Sequence, residues 1–181
     1  MDPTLTKDGP RYTLRFERQL AYSREKVWRA LTEREHLSKW FPCDVTGEWT
    51  VGAKLRFVFA EGEAENTELS GEVLAVEPLR LLEYQWGETV LRCELIEEGD
   101  GCKLIFSESF EDGSIAARNA AGWEMCLANM QALLLDQAPT EFAMDAWRVL
   151  FNPYVEEFEP LAGPQQGPPE THPGNVAKPT E

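Results

Sequence analysis

The stretch SIAARNAAGWEMCLANMQALLLDQ, residues 114–137, constrains this chain more than any other. It contains no proline, and only Arg118, Glu124 and Asp136 carry charge. Alanine, leucine, methionine, glutamate and glutamine dominate it, all strong helix formers. Ser114 is an N-cap candidate, because its hydroxyl can accept from a free first-turn amide. At helical spacing, Ala116, Ala120, Trp123, Leu127, Met130 and Leu134 form one stripe. Ile115, Gly122, Cys126 and Leu133 widen that stripe on one flank, and Glu124 and Gln131 lie opposite. A helix with so wide an apolar face needs a broad apolar surface to receive it. Ala138-Pro139 is expected to end it.

The residues before this helix read as strands that supply the surface. Residues 1–10 are polar and are expected to be a flexible N-terminus. Tyr12, Leu14, Phe16 and Leu20 then alternate with polar residues, which gives a strand with one buried face. Ser23 is placed to cap a short helix with Val27, Ala30 and Leu31 on one face. TERE, residues 32–35, has the spacing of a capping box for a second short helix carrying Leu37, Trp40 and Phe41, ended by Pro42. About six antiparallel strands are expected from Asp44 to Phe110. Leu55 and Phe57 alternate in one of them, and Leu82, Tyr84 and Trp86 in another; the facing of Val73 and Leu74 stays open. Gly99 to Gly101 signals a hairpin that pairs Leu95 with Leu104 and Cys93 with Phe106. Strand, two short helices, strands, long helix is the order of an α+β, two-layer fold: a curved antiparallel sheet around a long C-terminal helix. Such layers often close incompletely, so a cavity lined by large aromatics is expected between them.

Thr140 is a cap candidate for a further helix in which Phe142, Trp147 and Leu150 recur, and Pro153 is expected to bend or restart it. Residues 138–160 are therefore read as a docked helical extension. Residues 161–181, rich in proline, glycine and polar groups, are expected to be a disordered tail.

Charge and composition narrow the function. A net charge of −15 argues against nucleic acid and anionic membrane surfaces. No apolar run is long enough for a membrane span, and no signal-peptide pattern opens the chain. Cys43, Cys93, Cys102 and Cys126 show no paired framework and read as reduced thiols of a cytoplasmic protein. His36 and His172 are the only histidines, too few for a His/Cys metal site or a Ser-His-Asp triad. Glycines 47, 52 and 71 suit turns and a sheet bend rather than a phosphate cradle, so no cofactor is expected.

SREKVWRALTEREHLSKWF resembles the opening motif of the SRPBCC (START-like) superfamily. GEWTVGAKLRF, SGEVLAVEPLRLLEYQW and AAGWEMCLANMQALL follow in the order of the branch named for the activator of heat-shock-protein-ninety ATPase. The resemblance covers residues 11–137 and implies a helix-grip fold with a hydrophobic cavity. From the resemblance, no counterpart of the amino-terminal chaperone-binding domain of the eukaryotic activator is expected in these residues. It also holds Glu108 where many relatives carry a histidine.

The candidate ligand-binding residues are Trp40, Phe41, Phe57, Tyr84, Trp86, Glu108, Asn119 and Trp123. Each aromatic alone is more often core than binding site; as a set, in a fold with an expected cavity, they should include some lining residues. Glu108 follows Leu104 and Phe106 on one strand face. It either meets the cavity as an orienting group or base, or lies at the strand end in water, the commoner fate of a glutamate. Asn119 serves either a ligand or a first-turn contact. Trp123 is expected to form part of the cavity wall, with Gly122 letting the helix approach the sheet. The reading is a non-enzymatic protein that binds a small apolar or amphipathic ligand. A chaperone-associated interaction module and a polyketide cyclase/aromatase-like enzyme are the alternatives.

Overall fold

A computed structural model describes residues 2–59 and 68–168. The chain forms β1 (Thr4–Asp8), β2 (Arg11–Leu20), α1 (Arg24–Thr32), α2 (Arg34–Leu37), β3 (Asp44–Thr46) and β4 (Lys54–Val58). There follow β5 (Glu68–Glu77), β6 (Leu81–Trp86), β7 (Thr89–Glu98), β8 (Gly101–Phe110), α3 (Ala116–Leu134) and α4 (Met144–Ala162). The strands make one antiparallel sheet in the order β1-β2-β8-β7-β6-β5-β4-β3. Curved sheet and long helix together are the α+β, helix-grip arrangement.

Alternation decides which sheet face is buried. Leu14, Phe16, Leu91, Leu104, Phe106 and Phe57 are fully enclosed, while their strand neighbours point outward. The β7–β8 register pairs Leu95 with Leu104 and Cys93 with Phe106, as the Gly99-Asp100 turn predicts. Cys102 therefore faces Glu97 rather than Cys93, and the four cysteines are free thiols. In β5 Val73 is buried and Leu74 exposed, and the register shifts just after Val73. Gly71 is required where β5 meets its neighbour: a Cβ there would lie 1.9 Å from the Gln85 carbonyl oxygen.

The α3 stripe of Ala116, Ala120, Trp123, Leu127, Met130 and Leu134 is buried throughout. Both ends of the helix differ from the sequence reading. Asp112, not Ser114, caps the start: its carboxylate accepts from the Ser114 amide at 3.0 Å and opens a short 3-10 turn, residues 113–115. The Ala117 amide is satisfied from far away, by Gln165 Oε1 at 2.9 Å. The helix stops at Leu134, before Ala138-Pro139, because Asp136 takes a left-handed conformation and the Gln137 amide turns back to Ala132 O. Lys26 Nζ donates to the freed Leu134 carbonyl at 2.7 Å.

Four further expectations are corrected. Thr4–Asp8 is a strand, paired with β2 through a turn at Gly9, because a polar segment can occupy a sheet edge that faces water. Thr32 ends α1, with its hydroxyl on Trp28 O, so it does not cap α2, whose N-cap is Glu33. Thr140 caps no helix: α4 starts at Met144 and runs through Pro153 without restarting. Its Trp147, Tyr154 and Phe158 are buried. The expected tail boundary at Leu161 also moves. α4 continues to Ala162, and Gln165 and Gln166 bond back to residues 113–118. The remainder of the expected tail, 169–181, lies outside the described residues.

Candidate functional site

The turn after α2 positions the first part of the site. Trp40 is held by its indole N–H, which donates to Ala30 O at 2.8 Å. The next residue, Phe41, packs against both sheet and helix. The Phe41 ring lies 5.6 Å from Trp123, 6.0 Å from Trp86 and 6.3 Å from Phe57, centroid to centroid. Phe57 stacks on Tyr84 at 6.1 Å, and Trp123 packs on Phe106 at 4.7 Å. With Trp40 edge-on to Phe41 at 5.5 Å, six of the eight candidate residues, Trp40, Phe41, Phe57, Tyr84, Trp86 and Trp123, form one connected aromatic cluster. It fills the space between sheet and helix.

Beneath this cluster lies a buried carboxylate. Glu108 is 0 % exposed, so it is not at a strand end in water. Trp123 Nε1 donates to its Oε2 at 2.8 Å, and Asn119 Nδ2 reaches both oxygens at 3.1 Å. Three donations satisfy most of what a buried carboxylate demands. Burial raises its pKa, opposed by the hydrogen bonds from Trp123, Asn119 and Thr89 and by the Arg118 charge. Tyr84 is likewise pushed well up by burial. The Trp86 indole N–H has no oxygen or nitrogen acceptor and faces the Cys43 thiol.

The open volume lies beside this cluster. A cavity of about 670 Å³ runs along the flank of α3, between the Lys39–Pro42 turn and the segment 140–144 that leads into α4. Trp40 and Phe41 form one wall, Gly122, Met125, Cys126 and Asn129 another, and Phe142 and Met144 the roof. Phe57, Tyr84, Trp86, Glu108, Asn119 and Trp123 are not on its surface. The roof is tied down by a reciprocal pair of bonds. The Thr140 amide donates to Asn129 Oδ1 at 2.8 Å, and Asn129 Nδ2 donates to Thr140 O at 3.1 Å.

Gly122 has a different role from the one its sequence position suggests. A Cβ built there meets nothing within 4 Å, so the residue enlarges the cavity rather than admitting the sheet. The signal for this wall was present in the flank of α3, where Gly122, Met125, Cys126 and Asn129 fall at helical spacing. The roof residues lie beyond the helix breaker and carried no such signal. Burial pushes the Cys126 thiol up to about 12, so at neutral pH it is a protonated, soft apolar group rather than a nucleophile. Among the described residues no helix is long and apolar enough to cross a membrane, and no three His, Cys, Asp or Glu side chains converge as a metal would require.

Solved structures share this architecture. A conserved protein of unknown function from Enterococcus faecalis, EF2215, is 22% identical with a TM-score of 0.74, over 88% of this chain and 91% of that one. CalU16 from Micromonospora echinospora is 22% identical with a TM-score of 0.69, over 89% and 97%. MLL2253 from Mesorhizobium loti is 26% identical with a TM-score of 0.60, over 68% and 96%. No curated protein matches the sequence. The family described as "Activator of Hsp90 ATPase homolog 1-like protein" matches residues 21–135, from the cap of α1 to the end of α3, and the chain belongs to that family.

Proposed function

We propose that this protein binds a small apolar or amphipathic molecule in the cavity between the Lys39–Pro42 turn, the flank of α3 and the segment before α4. The observation that carries this reading is the cavity itself. Its volume of about 670 Å³ falls in the range of small-molecule sites, roughly 300–1,000 Å³. Its walls are mainly aromatic, methionine and cysteine side chains, and α3 presents a glycine whose Cβ position is open space. Binding without turnover is favoured by where the polar groups are. Asn129 is committed to Thr140, Cys126 is protonated, and Glu108 is enclosed beneath the aromatic cluster, away from the cavity. A site for chemistry needs convergent free groups around one reacting atom.

Titration with Nile red, a neutral apolar dye, tests the reading. The parent protein is expected to bind about one dye per chain with enhanced emission. Gly122→Leu should fold, since leucine is the better helix former and its first carbon meets open space, and should lose the dye. A parent that binds no dye, or a Gly122→Leu variant that binds it equally well, would overturn the assignment.

A further inference from the structure

The charge pattern around the cavity says more about the occupant. Every described lysine and arginine except one has a partner. Most meet a carboxylate, as Arg11 meets Glu111 and Lys103 meets Glu17 and Glu98. Lys7 lies over the Tyr12 ring, and Arg118 donates to the Gln166 side chain. The exception is Lys39, exposed at the cavity rim beside Trp40. In a chain of net charge −15, an unpaired carboxylate is ordinary and an unpaired ammonium is not. Glu141, also on the rim, therefore carries no corresponding signal.

We propose that the occupant is a monomeric amphipathic carboxylate. Its anionic group would pair with Lys39 Nζ, and its apolar chain would lie against Trp40, Phe59, Met125 and Phe142. This rests on the ligand-binding reading above. Lys39 is a compact, strongly hydrated cation on a flexible stem, suited to meeting a carboxylate at a wet rim while its methylenes cover apolar surface. The apolar walls supply affinity, and the lysine supplies orientation and choice between charged and neutral ligands. Glu141 opposes an anion, which holds the expected preference to a few-fold.

Displacement of Nile red by dodecanoate, and separately by its methyl ester, at low ionic strength and below micelle formation, tests this. The parent should prefer the carboxylate by about two- to five-fold, the scale of one exposed ion pair. Lys39→Gln should bind both equally, Lys39→Glu should prefer the ester, and added salt should erase the parent's preference. Lys39 is exposed, so neither substitution should change the melting temperature. If both ligands displace the dye but the preference is absent, or survives in Lys39→Gln, the carboxylate assignment is overturned and the cavity reading stands. If neither displaces a dye that the parent binds and Gly122→Leu excludes, the carboxylate assignment is overturned and the cavity reading stands; if the parent binds no dye, both fail. Co-sedimentation with phosphatidylglycerol vesicles, without binding of monomeric dodecanoate, would also overturn the proposal by making a lipid surface the partner.

Discussion

The indole N–H of Trp123, on α3, donates to the carboxylate of Glu108, on β8, at 2.8 Å, inside the protein. This bond joins the helix to the strand beneath it at a point that water does not reach. Trp123→Phe keeps a ring against Phe106 and Phe41 but removes the donor. A buried hydrogen bond and part of a packed ring are lost together, and the expected cost is about 3 kcal/mol. Urea denaturation measures it. Nile red affinity should stay within two-fold of the parent, because Trp123 is not on the cavity surface.

Glu108 also gives stability a pH dependence of determined sign. Burial raises its folded-state pKa above the ordinary value of 4.5. The folded protein therefore holds this proton more tightly than the unfolded chain. The contribution of Glu108 is fully present below about pH 4.5, declines as pH rises toward the folded-state pKa, and is constant above it. Glu108→Gln removes that titration. The stability of the variant minus that of the parent should grow from pH 4.5 upward and then level off. A difference that is flat across this window, by chemical denaturation at a series of pH values, would contradict the assignment.

Asn129 holds the roof of the cavity through two bonds to the backbone of Thr140. Asn129→Ala should cost only about 1 kcal/mol, because the pair is exposed. Its local effect should be larger. Hydrogen exchange at the Thr140 amide should accelerate more than ten-fold while exchange in β7 and β8 is unchanged, and dye dissociation should quicken.

Gln165 supplies an acceptor for the Ala117 amide in the first turn of α3 and donates to Gly113 O. Gln165→Ala should destabilise the protein by about 1 kcal/mol, the usual worth of a helix cap. Truncation after Ala162 should do the same, whereas truncation after Gly167 should not. Thermal melts of the three proteins distinguish these outcomes.

Trp147 is 4 % exposed and anchors α4 with Tyr154 and Phe158. Trp147→Ala should cost about 3 kcal/mol. An unchanged denaturation midpoint would mean that α4 is not docked in solution.

The parts of this structure that were legible in the sequence are those set by period and turn chemistry. Period two fixed the inward face of β2, the Gly99-Asp100 turn fixed the β7–β8 register, and helical spacing fixed the buried stripe of α3. What was not legible depends on contacts between distant residues. Thr4–Asp8 has no apolar alternation and is a strand only because β2 offers it an edge. Gln165 caps α3 from beyond α4. Glu108 is buried because Asn119 and Trp123, on another element, supply its donors. For the cavity, the large aromatics were conspicuous but pack on one another. The open space follows from a glycine and from a proline-bounded segment that no periodicity marks.

The place of β2 in the sheet bears on how the chain folds as it leaves a ribosome. β2 is made early, yet its inner partner is β8, with Tyr12 opposite Phe110 and Leu20 opposite Cys102. Until Phe110 has emerged, the apolar face of Tyr12, Leu14 and Phe16 has only the β1 hairpin beside it. Nearly every later strand can pair with its immediate predecessor as it appears, but the first two must wait for the last. α3, which covers them, is made later still. A nascent chain stalled before residue 110 would therefore carry an unsealed sheet edge and an exposed aromatic strip, a surface for chaperones to shield or for aggregates to start from.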